Sequence, residues 1–236
     1  MGNKPYAVLT GDLVNSSLMS PAQSNSAMER LRQLAQEFET VYPKSTHGQL
    51  DTFRHDSWQW LLIKPELALR AAVFMRTGLR SFSDRNVKFD TRVAIGTGTV
   101  ETIAEHRISD SRGTAFVRSG KTFDAMKKYS RLAYAFESDI VVEKWLTGGF
   151  TPLLDCAVTD WTPIEARAVH GTLRGWTQEE TAERWPILSK TGERRTHQAV
   201  RDSLRRAYWN TIQEALEFIE ERIKASYEAY YENGKL

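Results

Sequence analysis

Apolar residues along the first 136 positions recur with periods that predict a mixed α and β fold. Short apolar runs predict strands at residues 6–13, 49–53, 58–63, 89–96 and 132–136. Segments with a helical apolar period predict helices at residues 21–41, 65–82 and 114–128. The order β-α-β-β-α-β, with a further helix and strand, predicts a ferredoxin-like split βαβ domain of the α+β class, with its helices on one face of the sheet.

The pattern changes to helical from residue 138 to the end. Capping boxes begin at Thr162 and Thr177, and each opens a short predicted helix. A third periodic segment runs from residue 194 to 222 or beyond. Gly148-Gly149 and Pro152 mark the expected boundary, which gives an α+β domain at residues 1–147 and an all-α domain at residues 148–236.

Charge is concentrated on the third of these helical segments. From Arg184 to Trp209 there are seven basic and two acidic residues, and acidic segments flank this block on both sides. Two short helices followed by a basic third one predict a helix-turn-helix at about residues 162–209 that binds DNA. The alternative is a helical bundle used for dimerisation, in which the arginines form a solvated face.

The residues expected at DNA fall into two groups. Polar side chains at the start of the third helix would meet base edges in the major groove: Thr196, His197, Gln198, Arg201 and Arg205. Arg194, Arg195 and Arg206 would contact phosphates. The segments TQEETAERW and THQAVRDSLRRA resemble the helix-turn-helix of sigma-factor region four.

Composition restricts the class of protein further. The chain has 236 residues, 41% hydrophobic and 26% charged, which is typical of a globular protein. No apolar run approaches the roughly 20 residues of a membrane span, and the N-terminus lacks a secretion signal, so a cytoplasmic location is expected. The single cysteine, Cys156, excludes an internal disulfide.

Two carboxylates are the strongest candidates for chemistry in the N-terminal half. Asp12 ends the first predicted strand in TGDLVNSS, and Asp56 lies in the predicted hairpin FRHDSWQ. In a split βαβ sheet these two elements are neighbours, so the carboxylates can converge. Paired carboxylates beside the backbone N–H groups of residues 14–17, with Asn15 and Ser16, suit Mg²⁺ and a nucleoside triphosphate. The alternative is that Asp12 only ends a strand and Asp56 only forms a turn.

These motifs, with VAIGTGTV and DSRGTAFVRSGKTFD, resemble the catalytic domain of class III nucleotidyl cyclases over residues 6–126. With the helical segment appended, the whole chain resembles the SatD-like family of bacterial proteins. The cyclase resemblance implies a homodimer and a metal pair at Asp12 and Asp56. It also places Asp110 where cyclases can read the purine, Gly113 at the glycine that follows this position, and Lys121 at the phosphate-binding position.

Several positions depart from the cyclase pattern. Thr52 stands where cyclases often carry the base-selecting lysine, His55 replaces a glycine, and Val117 replaces the asparagine that stabilises the transition state. Losing one such donor typically costs roughly 100- to 1000-fold in rate. The sequence therefore predicts a DNA-binding regulator whose degenerate cyclase-like domain senses a nucleotide or dimerises. The alternatives are a Mg²⁺-dependent cyclase or another enzyme acting on nucleoside triphosphates, and a scaffold that binds only proteins.

Overall fold

The computed structural model describes residues 4–83, 87–104, 107–136, 143–187 and 194–232. The strands are β1 (Tyr6–Leu13), β2 (Thr46–Phe53), β3 (Ser57–Leu62), β4 (Thr91–Gly98) and β5 (Leu132–Ala135). The helices of the N-terminal half are α1 (Pro21–Val41), α2 (Ala68–Ser81) and α3 (Thr114–Asp124). Those that follow are α4 (Glu143–Trp145), α5 (Thr151–Asp160), α6 (Pro163–Leu173), α7 (Gln178–Glu183), α8 (His197–Arg206) and α9 (Trp209–Glu232).

The five strands form one mixed sheet in the order β2-β3-β1-β4-β5. Neighbouring strands are antiparallel except β4 and β5, which are parallel. The first four strands with α1 and α2 have the predicted split βαβ order. Because β4 and β5 are parallel, the chain must cross over between them, and α3 makes that crossover.

Helices cover both faces of the sheet, so the expectation that they lie on one face was wrong. Ala7, Val8 and Leu9 are consecutive residues of β1, point to alternate faces, and are all fully buried. Ala7 and Leu9 belong to the core beneath α1 and α2. Val8 packs with Ala115 and Phe116 of α3 on the other face. The physical reason is that a central strand buried on both faces needs a layer on each side.

The contact between α3 and the sheet is especially close at Gly96 of β4. A Cβ atom at this position would lie 2.2 Å from the backbone nitrogen of Ser119 and 2.7 Å from the carbonyl oxygen of Ala115. No side chain can fit between these two backbones. The glycine therefore sets the separation of α3 from β4.

The later helices complete the same hydrophobic core. Thirteen residues of α2 are buried, because the sheet covers one side and α6 covers another. Buried side chains of the C-terminal half, such as Val169, Leu216 and Ile223, belong to one core cluster with those of the sheet. The segment at the expected domain boundary is helical: α4 continues through a wide helical turn at Leu146–Phe150 into α5. The division into two domains stays a prediction.

A buried network of charges also joins the two halves of the chain. The guanidinium of Arg76 on α2, fully buried, pairs with Asp90 at 2.9 Å and with Asp155 of α5 at 2.8 Å. Burial alone would raise the pKa of the Asp90 carboxyl, but Arg76 and Arg80 hold that pKa below its usual value. The network thus ties α2, the start of β4 and α5 together.

Two predicted helices end earlier than their patterns suggested. The periodic segment after residue 194 is two helices, α8 and α9, because Tyr208 between them adopts a left-handed conformation with φ of 51°. The indole of Trp161 donates to the carbonyl oxygen of Ala207 at 3.1 Å, and Trp209 is buried. These contacts hold the break in place. Similarly, α3 ends at Asp124 rather than at residue 128.

No helix within the described ranges is long and apolar enough to cross a membrane.

Candidate functional site

The ends of β1 and β3 bring Asp12 and Asp56 to the same edge of the sheet. Asp12 faces Ser57 in the register of β1 with β3. The N–H of Leu13 donates to the carbonyl oxygen of Asp56 at 2.9 Å. The two carboxylates thus come from directly neighbouring strands, as the split βαβ order predicted.

The turn before Asp56 has an uncommon backbone. Arg54 and His55, the two residues between β2 and the Asp56 position, have φ values of 54° and 62°. A tight hairpin needs such conformations, and Asn-Gly or Gly-Gly usually supplies them. Here two residues with full side chains adopt them, at a cost of order 1–3 kcal/mol each. The turn fixes the direction in which the Asp56 side chain leaves the hairpin.

Hydroxyl groups hold the Asp56 carboxylate on both of its oxygens. Ser16 Oγ donates to Asp56 Oδ2 at 2.6 Å, and Ser57 Oγ donates to Asp56 Oδ1 at 3.2 Å. Ser16 opens a short turn (Ser16–Leu18) that follows Asn15, whose φ is 56°. Asn15 is exposed beside this turn. The Ser16 contact is one that the sequence pattern could not specify.

One backbone donor expected to face a phosphate is already in use. The N–H of Val14 donates to the carbonyl oxygen of Asp90 at 2.9 Å, which corrects its inclusion in the proposed phosphate cradle. The reason is that β1 continues beside the segment that leads into β4, so the backbone at residue 14 is paired with that segment. This correction leaves the N–H groups of residues 15–17 as the candidates.

Arg92 is the residue of this site that sequence reasoning missed. It faces Asp12 in the register of β1 with β4, and its guanidinium makes a two-pronged ion pair with the carboxylate, with Nε 2.8 Å from Oδ1. The guanidinium also lies 4.8 Å from the ring centre of Phe123 on α3. Hydrogen bonding to Asp12 raises the pKa of Arg92, and the charge of Asp56 acts in the same direction.

The groups at this edge are hard oxygen ligands, but one of the two carboxylates is already paired with Arg92. Carboxylate and hydroxyl oxygens are the ligands that Mg²⁺ prefers, and Asp12, Asp56 and Ser16 supply them. Arg92 provides the positive charge at Asp12, so both carboxylates can share one cation only when Arg92 moves away. Within the described residues there is no group of three or more His, Cys, Asp or Glu side chains placed to hold a metal.

The other residues expected to bind the nucleotide are not all near this edge. Lys121 is exposed on the part of α3 that leads to Phe123 and the Arg92 end of β4. Asp110 is exposed in a turn beside β2, where the neighbouring Ser109 hydroxyl donates to Asp51 at 2.7 Å.

Gly113 lies at the opposite end of β4 from Arg92, where it precedes α3. A Cβ there would be 2.4 Å from the carbonyl oxygen of Thr99, and its φ is 148°. Close packing and backbone conformation therefore both account for a glycine at this position.

The C-terminal residues expected at DNA lie on α8 and the segment before it. α8 packs against α6 and α7 and buries Val200, Ser203 and Leu204. Exposed polar side chains occupy the rest of its surface and the preceding segment: Arg194, Thr196, His197, Gln198, Arg201, Arg205 and Arg206.

Four of these predicted DNA contacts have intramolecular roles. Arg205 pairs with Asp202 at 3.6 Å. The Thr196 hydroxyl caps α8 by accepting from the N–H of Ala199 at 3.3 Å. Arg206 pairs with Glu165 at 3.0 Å. Arg195 lies over the ring of Trp185, with its guanidinium carbon 5.6 Å from the ring centre. His197, Gln198 and Arg201 therefore form the most accessible part of the expected recognition surface.

The chain is similar in structure to several cyclases over about half of its length. Over 56% of the chain it matches 80% of the guanylyl cyclase domain of the RhoGC fusion protein from the aquatic fungus Blastocladiella emersonii, at 15% identity and a TM-score of 0.42. Over 56% it also matches 83% of the active GGEEF domain of a diguanylate cyclase from Vibrio cholerae, at 18% identity and a TM-score of 0.39.

A bacterial light-regulated adenylyl cyclase is similar over 56% of this chain and 43% of its own, at 12% identity and a TM-score of 0.42. The sequence matches no known family description and no curated protein. At TM-scores below 0.5 the structural similarities do not by themselves assign a substrate or a site to the chain.

Proposed function

We propose that the N-terminal half binds a nucleoside triphosphate together with Mg²⁺ at the edge of the sheet formed by Asp12 and Asp56. The observation that carries this proposal is the placement of the two carboxylates at the ends of neighbouring strands. The Ser16 hydroxyl adds an oxygen ligand. In the proposed complex Mg²⁺ compensates the charge of both carboxylates, and Arg92 leaves Asp12 to pair with a phosphate, for which its planar guanidinium is well suited.

Turnover of the bound nucleotide is the enzymatic extension of this proposal. A cyclase-type or related reaction needs donors aimed at the charge that develops in the transition state. Val117 is exposed on α3 and has no such donor, while Lys121 and Arg92 are the candidate cations. We therefore expect slow turnover, with binding as the main activity of this half.

The test compares the wild type with Asp56→Asn. We expect Mg²⁺ with one of ATP, GTP, CTP or UTP to raise the unfolding temperature of the wild type. In Asp56→Asn the affinity for Mg²⁺ with the nucleotide should fall by at least about tenfold. Mutating a residue that only hydrogen-bonds to a metal ligand already costs about that much, and this substitution removes the ligand itself. Asp124→Asn, an exposed carboxylate at the end of α3, is the matched control and should behave as the wild type.

The absence of a Mg²⁺-dependent shift with all four nucleotides would contradict the proposal. An equal shift in wild type and Asp56→Asn would contradict the assignment of the site. Product analysis of the same mixtures then tests turnover separately from binding.

We also propose that α6, α7 and α8 form a helix-turn-helix that binds duplex DNA through α8. The observation that supports this second function is the division of α8 into a buried apolar side and an exposed side with His197, Gln198 and Arg201. Such a side fits the major groove, where these residue types bond base edges. A homodimer, which would read two half-sites, stays a prediction.

The DNA proposal is tested by duplex binding at several salt concentrations. We expect the affinity to fall steeply as salt increases, because phosphate contacts release counterions. Arg201→Ala should cost roughly 1–3 kcal/mol of binding to a selected site. Arg222→Ala, an exposed arginine on α9, should leave binding unchanged. Salt-independent binding, or equal effects of the two substitutions, would contradict the proposal.

A further inference from the structure

A cavity of about 320 Å³ lies on the face of the sheet opposite to Arg92. It opens between α1, the end of α2, α6 and α7. Four arginines line it: Arg30, Arg167, Arg174 and Arg184. Its volume is at the lower end of the range for ligand sites. This concentration of guanidinium groups in a concave site is the feature that needs an explanation.

Two tryptophans hold guanidinium groups in place around this cavity. The guanidinium carbons of Arg174 and Arg184 lie 4.1 and 4.7 Å from the ring centre of Trp176. Arg167 lies 5.5 Å from the ring centre of Trp185, which also contacts Arg195. Stacking on aromatic rings restricts these long side chains before any ligand arrives, so less conformational entropy is lost on binding.

The positive charge of the cavity is only partly compensated. Among the described residues, Glu37 is the one carboxylate that pairs with any of these arginines. It lies 2.8 Å from Arg30 and 3.4 Å from Arg174. Arg184 donates to the backbone carbonyl of Glu180, and Arg167 to that of Ser81. Backbone carbonyls accept hydrogen bonds but carry no net charge.

The electrostatics of individual groups agree with this excess of positive charge. Burial lowers the pKa of Arg167, and the charge of Arg195 lowers it further. Burial also lowers the pKa of Arg174; Glu37 opposes this effect, whereas Arg30 and Arg184 add to it. A bound anion would relieve the repulsion among these groups.

A buried polar atom without a partner provides an independent sign of a missing ligand. His170 lines the same cavity, is 4% exposed, and its Nε2 atom has no hydrogen-bond partner among the described residues. A Glu37 carboxylate oxygen lies 3.7 Å from Nε2, longer than an ordinary hydrogen bond. Buried polar groups in folded proteins are nearly always hydrogen-bonded, to protein or to a bound molecule.

We propose that this cavity binds a small anion with several phosphate groups, such as a polyphosphate or the phosphate chain of a nucleotide. Guanidinium forks match phosphate oxygens in geometry as well as in charge. The side chains of Arg30 and Arg174 are only 18% and 26% exposed, so they are recessed in the cavity, whereas Arg184 is exposed. The site is independent of the Asp12–Asp56 edge and requires no metal.

The experiment measures tripolyphosphate binding by calorimetry in the presence of EDTA. EDTA chelates Mg²⁺ and so prevents binding at any Mg²⁺-dependent site. We expect the wild type to bind, and Arg174→Gln and Arg184→Gln each to weaken binding by about tenfold, the loss of one charge-assisted hydrogen bond. Arg222→Gln removes an exposed charge outside the cavity and should stay within about twofold of the wild type. Unfolding curves check that each variant folds, and Arg184→Gln breaks no carboxylate pair.

Three results would overturn the proposal. They are no binding by the wild type, equal binding by the Arg174→Gln/Arg184→Gln double variant, and displacement of tripolyphosphate by duplex DNA with an equal loss of DNA affinity in that variant. The last result would assign the arginines to DNA. ATP without metal is compared in parallel: tighter binding of ATP than of tripolyphosphate identifies a nucleotide as the source of the phosphates, and the reverse order identifies an inorganic polyphosphate.

Discussion

Arg76→Met is expected to destabilise the protein by about 3 to 5 kcal/mol, the usual cost of removing one partner from a buried ion pair. The substitution leaves Asp90 and Asp155 buried without their shared cation. Methionine fills much of the arginine's volume, so the loss reports charge rather than a cavity. Because a folded domain is typically stable by only about 5–15 kcal/mol, a large part of the total stability is at stake. Denaturant unfolding followed by circular dichroism measures the change.

Two further variants separate the charge effect from other causes. Arg222→Met replaces an exposed arginine on α9 and should change stability by no more than about 0.5 kcal/mol. Adding Asp90→Asn to Arg76→Met removes one of the stranded carboxylates, so the pair should cost less than the sum of its single substitutions. Additive losses would show that the two residues act independently, contrary to the network described.

Gly96→Ala is the second substitution expected to have a large effect. The new Cβ would overlap the backbone of α3 at Ser119 and Ala115, and backbone cannot rotate away as a side chain can. Overpacking of this kind typically costs about 1–3 kcal/mol, and here α3 must move off β4 as a unit. A lowered unfolding temperature with unchanged secondary structure content is the expected result.

Gly120 on the same helix provides the matched control. A Cβ at Gly120 meets nothing within 4 Å, so Gly120→Ala should gain roughly 1 kcal/mol from the better helix propensity of alanine. The same chemical change is therefore expected to have opposite signs at two positions. If both substitutions destabilise, the close approach of α3 and β4 is not the cause.

The local elements of the fold could largely be predicted from the sequence, because they depend on local signals. Both β1 and α1 have the predicted bounds. The break at Tyr208 could not be predicted, since a tyrosine in a left-handed conformation has no local signal and is held by the distant Trp161. The position of α3 on the second face was also missed, because it depends on the parallel pairing of β4 with β5.

The candidate site was predictable only in part, for a related reason. The adjacency of the strand ends that carry Asp12 and Asp56 follows from topology, so the order of elements was enough to predict it. That the two carboxylates share a cation stays a prediction. Arg92 pairs with Asp12 through the register of β1 with β4, which no local pattern determines. The cavity around Trp176 and Trp185 was missed because its arginines come from several helices, and their convergence depends on packing.

The burial of α2 on nearly all sides has a consequence for the order in which the molecule can form. A ribosome makes the sheet and α2 before α6, which packs along α2, and before Glu220 of α9, which pairs with Arg70 of α2 at 2.6 Å. An emerging chain therefore displays the side of α2 that α6 covers until α6 has left the exit tunnel. During that interval it is a natural client for a chaperone, and the docking of α6 ends the exposure.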